Sequence, residues 1–159
     1  MSKTYEITTK SVAATQKLGQ LLGALLRQKA LITLEGDLGA GKTAFSQGLA
    51  RGLEVPDSYY VTSPSFAIIN EYPARLPFYH MDFYRLNAPG ELEDLGFYDI
   101  LQDENVIVIE WAAKFAAVFA PMERLEIKIG YLDDDLRKIS LIPYGQLYEN
   151  LIHELAQMK

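Results

Sequence analysis

No cysteine occurs in the 159 residues. Disulfide frameworks, thiolate zinc clusters and thiol nucleophiles are thereby excluded, and cysteine usage leaves the compartment open. Histidine is scarce: His80 and His153 are not spaced as a metal pair, and both read as structural or solvated side chains. No apolar run approaches the roughly 18 residues of a membrane span. The N-terminal MSKTYEITTKS lacks the apolar core of a signal peptide. A cytoplasmic protein without membrane association is expected. Basic residues are outnumbered, 15 against 21 acidic, giving a formal net charge of −6. A broad basic face that neutralises nucleic-acid phosphates is therefore not expected, nor is direct DNA binding, while a role in RNA metabolism through partner proteins stays open. Repeats, low-complexity tracts and Ser/Gly-rich linkers are also absent. Residues 1–159 are expected to form one domain, long enough to bury about two-thirds of its unfolded surface.

What is present is a phosphate-binding pattern in a fitting context. GDLGAGKT (Gly36 to Thr43) satisfies G-x-x-x-x-G-K-[ST] and follows the apolar stretch Leu31 to Glu35, which reads as a short buried strand. Downstream, Phe45, Leu49 and Leu53 recur every four residues as one stripe of a helix, with Gly52 near its end. Glycines let the backbone wrap a phosphate closely, and the helix N-terminus adds N–H donors and positive dipole. Lys42 would reach the β/γ-phosphates and the Thr43 hydroxyl would ligate Mg²⁺.

The remaining elements predict an α/β fold. Ser11 suits a helix cap before Leu18, Leu21, Leu22, Leu25 and Leu26, which recur at helical spacing. Phe66–Tyr72 and Phe78–Tyr84 are β-rich runs joined by a Pro73–Pro77 turn, so they predict a hairpin. Pro89 to Gly96 suits a short helix. VIVIE (Val106 to Glu110) is a β-branched apolar run of the kind found in a central parallel strand covered on both faces. RLEIKIG and RKISLIP, separated by the acidic turn Asp133–Asp135, predict a second hairpin, and Leu147, Leu151 and Leu155 a final amphipathic helix. Alternating helices and strands give an α/β class with a central mixed, mostly parallel β-sheet flanked by helices.

A magnesium–nucleotide site also needs an acid beside the metal, commonly at the end of a buried strand. Glu110 ends VIVIE, where an unpaired carboxylate is costly without a cation or donor. Asp82 lies in HMDFYR, either as part of the site or as a salt-bridge partner of Arg85. The expected arrangement gives the metal to Thr43 and Glu110, with Asp82 positioning the attacking water or the metal's shell. VTSPSF (Val61 to Phe66) carries Thr62, Ser63 and Ser65 around Pro64, hydroxyls that could sense a γ-phosphate as switch loops do, or simply form a polar turn. Trp111 reads as a core or interface residue, and Arg137 could lie over an adenine by a cation–π contact.

The guanine-reading N-K-x-D and the D-x-x-G segment of GTP switches do not occur, which leaves ATP. A small-molecule P-loop kinase remains an alternative, although the six arginines are scattered and no pair forms a lid-like segment. A nucleotide-gated adaptor is a further alternative.

The series GDLGAGKT, VTSPSF, YHMDFYRL, ELEDLGFYDIL and VIVIEW resembles the TsaE (YjeE) family, the bacterial ATPase of tRNA threonylcarbamoyladenosine biosynthesis, from about residue 11 to Arg137 with every motif in family order. H-x-D-x-Y-R and I-E-W together are far more specific than the glycine loop alone. The resemblance implies a P-loop NTPase-like domain and a Mg²⁺-dependent ATPase that works with the TsaB and TsaD proteins, with tRNA an indirect partner through that complex. It implies that the nucleotide is bound by Gly36, Asp37, Gly39, Ala40, Gly41, Lys42, Thr43 and Ala44, with Arg137 near the adenosine. Thr43 and Glu110 would hold Mg²⁺, Asp82 and Lys42 would serve hydrolysis, and Ser63 and Ser65 would belong to the switch-like loop. The family commonly reads S-P-T-[FY]; here Ser65 replaces the threonine, keeping the hydroxyl and losing the methyl.

Overall fold

The apolar run of VIVIE lies in the interior of a seven-stranded sheet, in the order β1-β7-β6-β2-β5-β4-β3. The computed structural model describes residues 3–37 and 39–158. Its strands are β1 (Tyr5–Thr9), β2 (Ala30–Gly36), β3 (Ile69–Tyr72), β4 (Phe78–Asp82), β5 (Val106–Glu110), β6 (Arg124–Tyr131) and β7 (Arg137–Tyr144). The central pairings β6–β2, β2–β5 and β5–β4 are parallel. Antiparallel pairings occupy both edges: β3 on β4, and β7 between β6 and β1. The sheet is thus mixed, its parallel part confined to the centre. Both expected hairpins are present, and β1, polar and alternating, adds an edge strand that periodicity did not mark.

Alternation along the strands separates two apolar layers. In β5, Val106 and Val108 join the core formed with α1 (Val12–Leu25), α2 (Lys42–Gly52) and α6 (Gln146–Gln157), while Ile107 and Ile109 join the opposite one. That second layer contains α3 (Gly90–Asp94), α4 (Phe97–Gln102), a 3-10 turn (Ala112–Phe115) and α5 (Ala116–Phe119). Its centre is Phe83, which meets Phe97 edge-on at 5.8 Å and Phe115 at 6.0 Å between ring centroids. Such pairs stabilise beyond the area they bury.

Helix α1 starts where Ser11 predicts, the Ser11 hydroxyl accepting from the Ala14 N–H at 3.0 Å. It lies directly on α2 because the contact is lined with glycine. A Cβ on Gly48 would lie 1.9 Å from the Gln16 carbonyl oxygen, so only glycine lets the two backbones approach this far. The close contact fixes α2, and with it the glycine loop, against the sheet. Arg75 braces the far end, its guanidinium donating to the carbonyls of Gly23, Leu26 and Gly52. Among the described residues no helix is long and apolar enough to cross a membrane.

Candidate functional site

The site forms where β2, β4 and β5 end together. Parallel pairing puts Asp82 opposite Glu110, and Leu34 opposite Glu110 on the other side of β5. The chain leaves β2 at Gly36, turns through the glycine loop and enters α2 at Lys42. Leu38, inside that loop, lies outside the described residues. Gly41 sits before α2 at φ 111° with no side-chain cap, leaving the first N–H groups of the helix free of a capping side chain. That left-handed backbone favours glycine.

Asp82 and Glu110 are both buried, with exposures of 5% and 3%. Because Val108 and Glu110 share one face of β5, and His80 and Asp82 one face of β4, the acids point to the α2 side of the sheet. There Lys42 Nζ lies 3.7 Å from Glu110 Oε1 and 5.1 Å from the centre of the Trp111 ring. The Ser63 hydroxyl spans the carboxylates, 3.3 Å from Asp82 Oδ2 and 3.1 Å from Glu110 Oε2. Asp82 Oδ1 also accepts from the Tyr84 N–H at 2.9 Å. Burial works against ionisation of Glu110. The interaction with His80 first, then the Lys42 charge and the Ser63 hydroxyl, outweigh it and hold the carboxyl below its usual range.

The sequence candidates therefore divide into groups. Lys42, Asp82, Glu110 and Ser63 converge. Asp82 ends its strand rather than sitting mid-run, and it pairs with Ser63 and the Tyr84 amide; Arg85 instead lies over the Phe66 ring at 4.1 Å. Thr43 follows Lys42 as an exposed residue of the first turn of α2, with Ala44 half-buried behind it. Ser65 is exposed and reaches the cluster only through its N–H, which donates to the Ser63 carbonyl at 3.0 Å. In the loop, the Ala40 N–H donates to the Asp37 carbonyl at 2.9 Å. Gly36 packs so closely on β6 that a Cβ there would lie 2.7 Å from the Ile129 carbonyl oxygen.

Arg137 is held against the loop. Its Nε donates to the Ala40 carbonyl at 3.0 Å, its Nη1 to the carbonyls of Asp133, Asp134 and Leu136, and its guanidinium lies 4.1 Å from the Tyr131 ring centre. Tyr131 in turn donates to the Gly39 carbonyl at 2.6 Å. The β6–β7 turn thus grips the outer side of the glycine loop.

Two contributors escaped the sequence reading. His80 is fully buried, with Nε2 2.6 Å from Glu110 Oε2. The H-x-D spacing carried that signal, since it puts His80 on the face of Asp82 and diagonally across from Glu110. Gln47, on α2, donates to the Val61 carbonyl at 3.0 Å and accepts from Gln16 at 3.1 Å, tying the start of the serine loop to both helices.

The donor set fits a magnesium–nucleotide pair. Two buried carboxylates lie side by side, Glu110 facing Lys42, and Thr43 follows that lysine in the first turn of the helix after the glycine loop. Hard oxygen ligands and a few protein contacts suit Mg²⁺, which keeps much of its water and binds through one or two carboxylates and substrate phosphates.

Known proteins are similar to this chain in sequence and in fold. The sequence model of the family described as "Threonylcarbamoyl adenosine biosynthesis protein TsaE" matches residues 9–139. The tRNA threonylcarbamoyladenosine biosynthesis protein TsaE of Bacillus subtilis is 42% identical over 144 residues, covering 90% of this chain and 88% of that relative. The protein of the same name from Treponema pallidum is 35% identical over 133 residues, covering 84% of this chain and 96% of the relative. Among solved structures, the crystal structure of YdiB from Bacillus subtilis is similar at a TM-score of 0.85 and 36% identity, covering 99% of this chain and 97% of its own.

Proposed function

Because the chain belongs to the TsaE family, and so to the biosynthesis of threonylcarbamoyladenosine in tRNA, we propose that it is a cytoplasmic Mg²⁺-dependent ATPase acting on a TsaB–TsaD complex. The observation that carries this reading is the Ser63 bridge between Asp82 and Glu110 in front of Lys42. It gathers a switch-like loop, two acids and the phosphate-loop lysine in one place.

In the proposed complex the N–H groups from Gly39 to Thr43 and at the head of α2 bind the phosphates, with Gly36 and Asp37 leading into the loop and Ala44 in the first helical turn. Lys42 exchanges Glu110 for phosphate oxygens. Thr43 and Glu110 would hold Mg²⁺, which would supply charge neutralisation for the bound phosphates. Asp82, held by the Tyr84 N–H and Ser63, accepts a hydrogen bond from the attacking water and fixes its orientation, the geometric part of the catalysis. Ser63 reports the state of the site to the serine loop, whose Ser65 lies at the surface. Arg137 and Tyr131 hold the loop in shape from outside, which supports a role for Arg137 near the nucleotide without requiring it to stack on the base. The net charge of −6 suits a protein that meets tRNA through its partners.

Alanine substitution at each acid tests the assignment when nucleotide binding and turnover are measured separately. Asp82→Ala is expected to bind ATP and lose hydrolysis by about 10²-fold or more, as when an acid–base or water-positioning group is removed. Glu110→Ala is expected to lose Mg²⁺-dependent binding as well. Unchanged hydrolysis in both variants would sink the proposal.

A further inference from the structure

His80 is an expensive residue for its position. It sits in the interior of β4 with no exposed surface, between the core residue Phe78 and Asp82, and its ring is nearly parallel to that of Phe78, with centroids 6.0 Å apart. An apolar side chain would pack there without a polar group to satisfy. The imidazole satisfies only one of its nitrogens: Nε2 meets Glu110 Oε2 at 2.6 Å, while Nδ1 is buried without a partner. The Glu110 carboxylate can only accept, so Nε2 is assigned as the donor of that bond.

This contact divides the work of the two Glu110 oxygens. Oε2 receives His80 and Ser63, whereas Oε1 lies toward Lys42 at the head of α2. The Nε2–H bond fixes the orientation of the carboxylate. We infer that His80 is a positioning residue that occupies Oε2 of Glu110 and thereby keeps Oε1 turned toward the cation side of the glycine loop. This inference rests on the reading in which Glu110 holds Mg²⁺.

Binding of Mn²⁺ in the presence of ADP, followed by electron paramagnetic resonance, tests it with four variants, alongside metal-free ADP affinity and a thermal melt. Glutamine and asparagine differ in reach. The amide nitrogen of His80→Gln stands where Nε2 stood, whereas the shorter amide of His80→Asn stands near the Nδ1 position. His80→Asn and His80→Phe are expected to weaken Mn²⁺ binding about 10–100-fold, the usual loss when a hydrogen-bond partner of a ligating group is removed. Metal-free ADP affinity is expected to stay unchanged, and His80→Gln to recover most of the metal affinity. Equal metal affinity in all folded His80 variants would overturn the inference, and so would an equal loss in the asparagine and glutamine variants, which marks a packing role. Glu110→Gln separates the two levels. If it leaves Mn²⁺ affinity intact, the assignment of the ligand fails; if it weakens binding while His80→Asn does not, only the role of His80 fails.

Discussion

Asp82 and Glu110 end neighbouring parallel strands at the same level of the sheet, and one hydroxyl, that of Ser63, touches both carboxylates. Two buried acids side by side repel each other unless a cation or donors stand between them. In this structure Ser63, His80 and Lys42 supply the donors.

Ser63→Ala removes the bridge without altering the backbone of the loop. Nucleotide binding is expected to survive, because the glycine loop and Lys42 are untouched. Hydrolysis is expected to fall about tenfold, the value of one net hydrogen bond at the upper end of its range. Single-turnover kinetics beside ADP titration checks this. A parent-like rate shows that the bridge is incidental.

The glycine seam between α1 and α2 gives a stability prediction. Gly48→Ala forces a Cβ to within 1.9 Å of the Gln16 carbonyl oxygen, so the helices must part. A loss of about 1–3 kcal/mol or more is expected, typical of overpacking. Gly90→Ala, at a position with nothing within 4 Å, serves as the control. It is expected to be neutral or slightly stabilising by about 0.5 kcal/mol. Urea denaturation of both variants decides it.

Glu35 provides a pH dependence away from the acid pair. The side chain is half-buried, and burial raises its pKa above the ordinary 4.5 even though the Ala113 N–H donates to it at 3.0 Å. With the folded value above the unfolded one, the stabilising contribution belongs to the protonated form. It is fully present below the unfolded pKa and is lost as pH rises through the folded one. Glu35→Gln keeps an acceptor for Ala113 and cannot ionise. The variant is expected to gain on the parent in thermal stability as pH rises upward from 4.5. Parallel curves across that window contradict the assignment.

The site was legible in the sequence where chemistry and periodicity coincide. VIVIE announces a central strand by being apolar at every position before its acid, and the glycine loop announces itself by its spacing. The role of His80 was hidden because it depends on a pairing: β4 had to be set beside β5 in register before the imidazole faced Glu110. The end of β4 at Asp82 was hidden as well, since FYHMDFY stays β-rich past it, and Phe83 turns into the aromatic layer on the opposite face. Strand β1 is short and polar, and becomes a strand through its antiparallel contact with β7 at the other end of the chain. Helix α3 matches the short helix read from Pro89 to Gly96, whereas α4 and α5 span 6 and 4 residues, too few for a helical period to show.

The central claim is that ATP hydrolysis at the Lys42–Asp82–Glu110 site serves a tRNA-modifying partner. Its most direct test is ATP turnover by this protein alone and with purified TsaB and TsaD, with Asp82→Ala run beside the parent. The account predicts slow hydrolysis by the isolated protein, a clear rise only when both partners are present, and no such rise for Asp82→Ala. Turnover indifferent to the partners, or an Asp82→Ala protein stimulated as strongly as the parent, would contradict it.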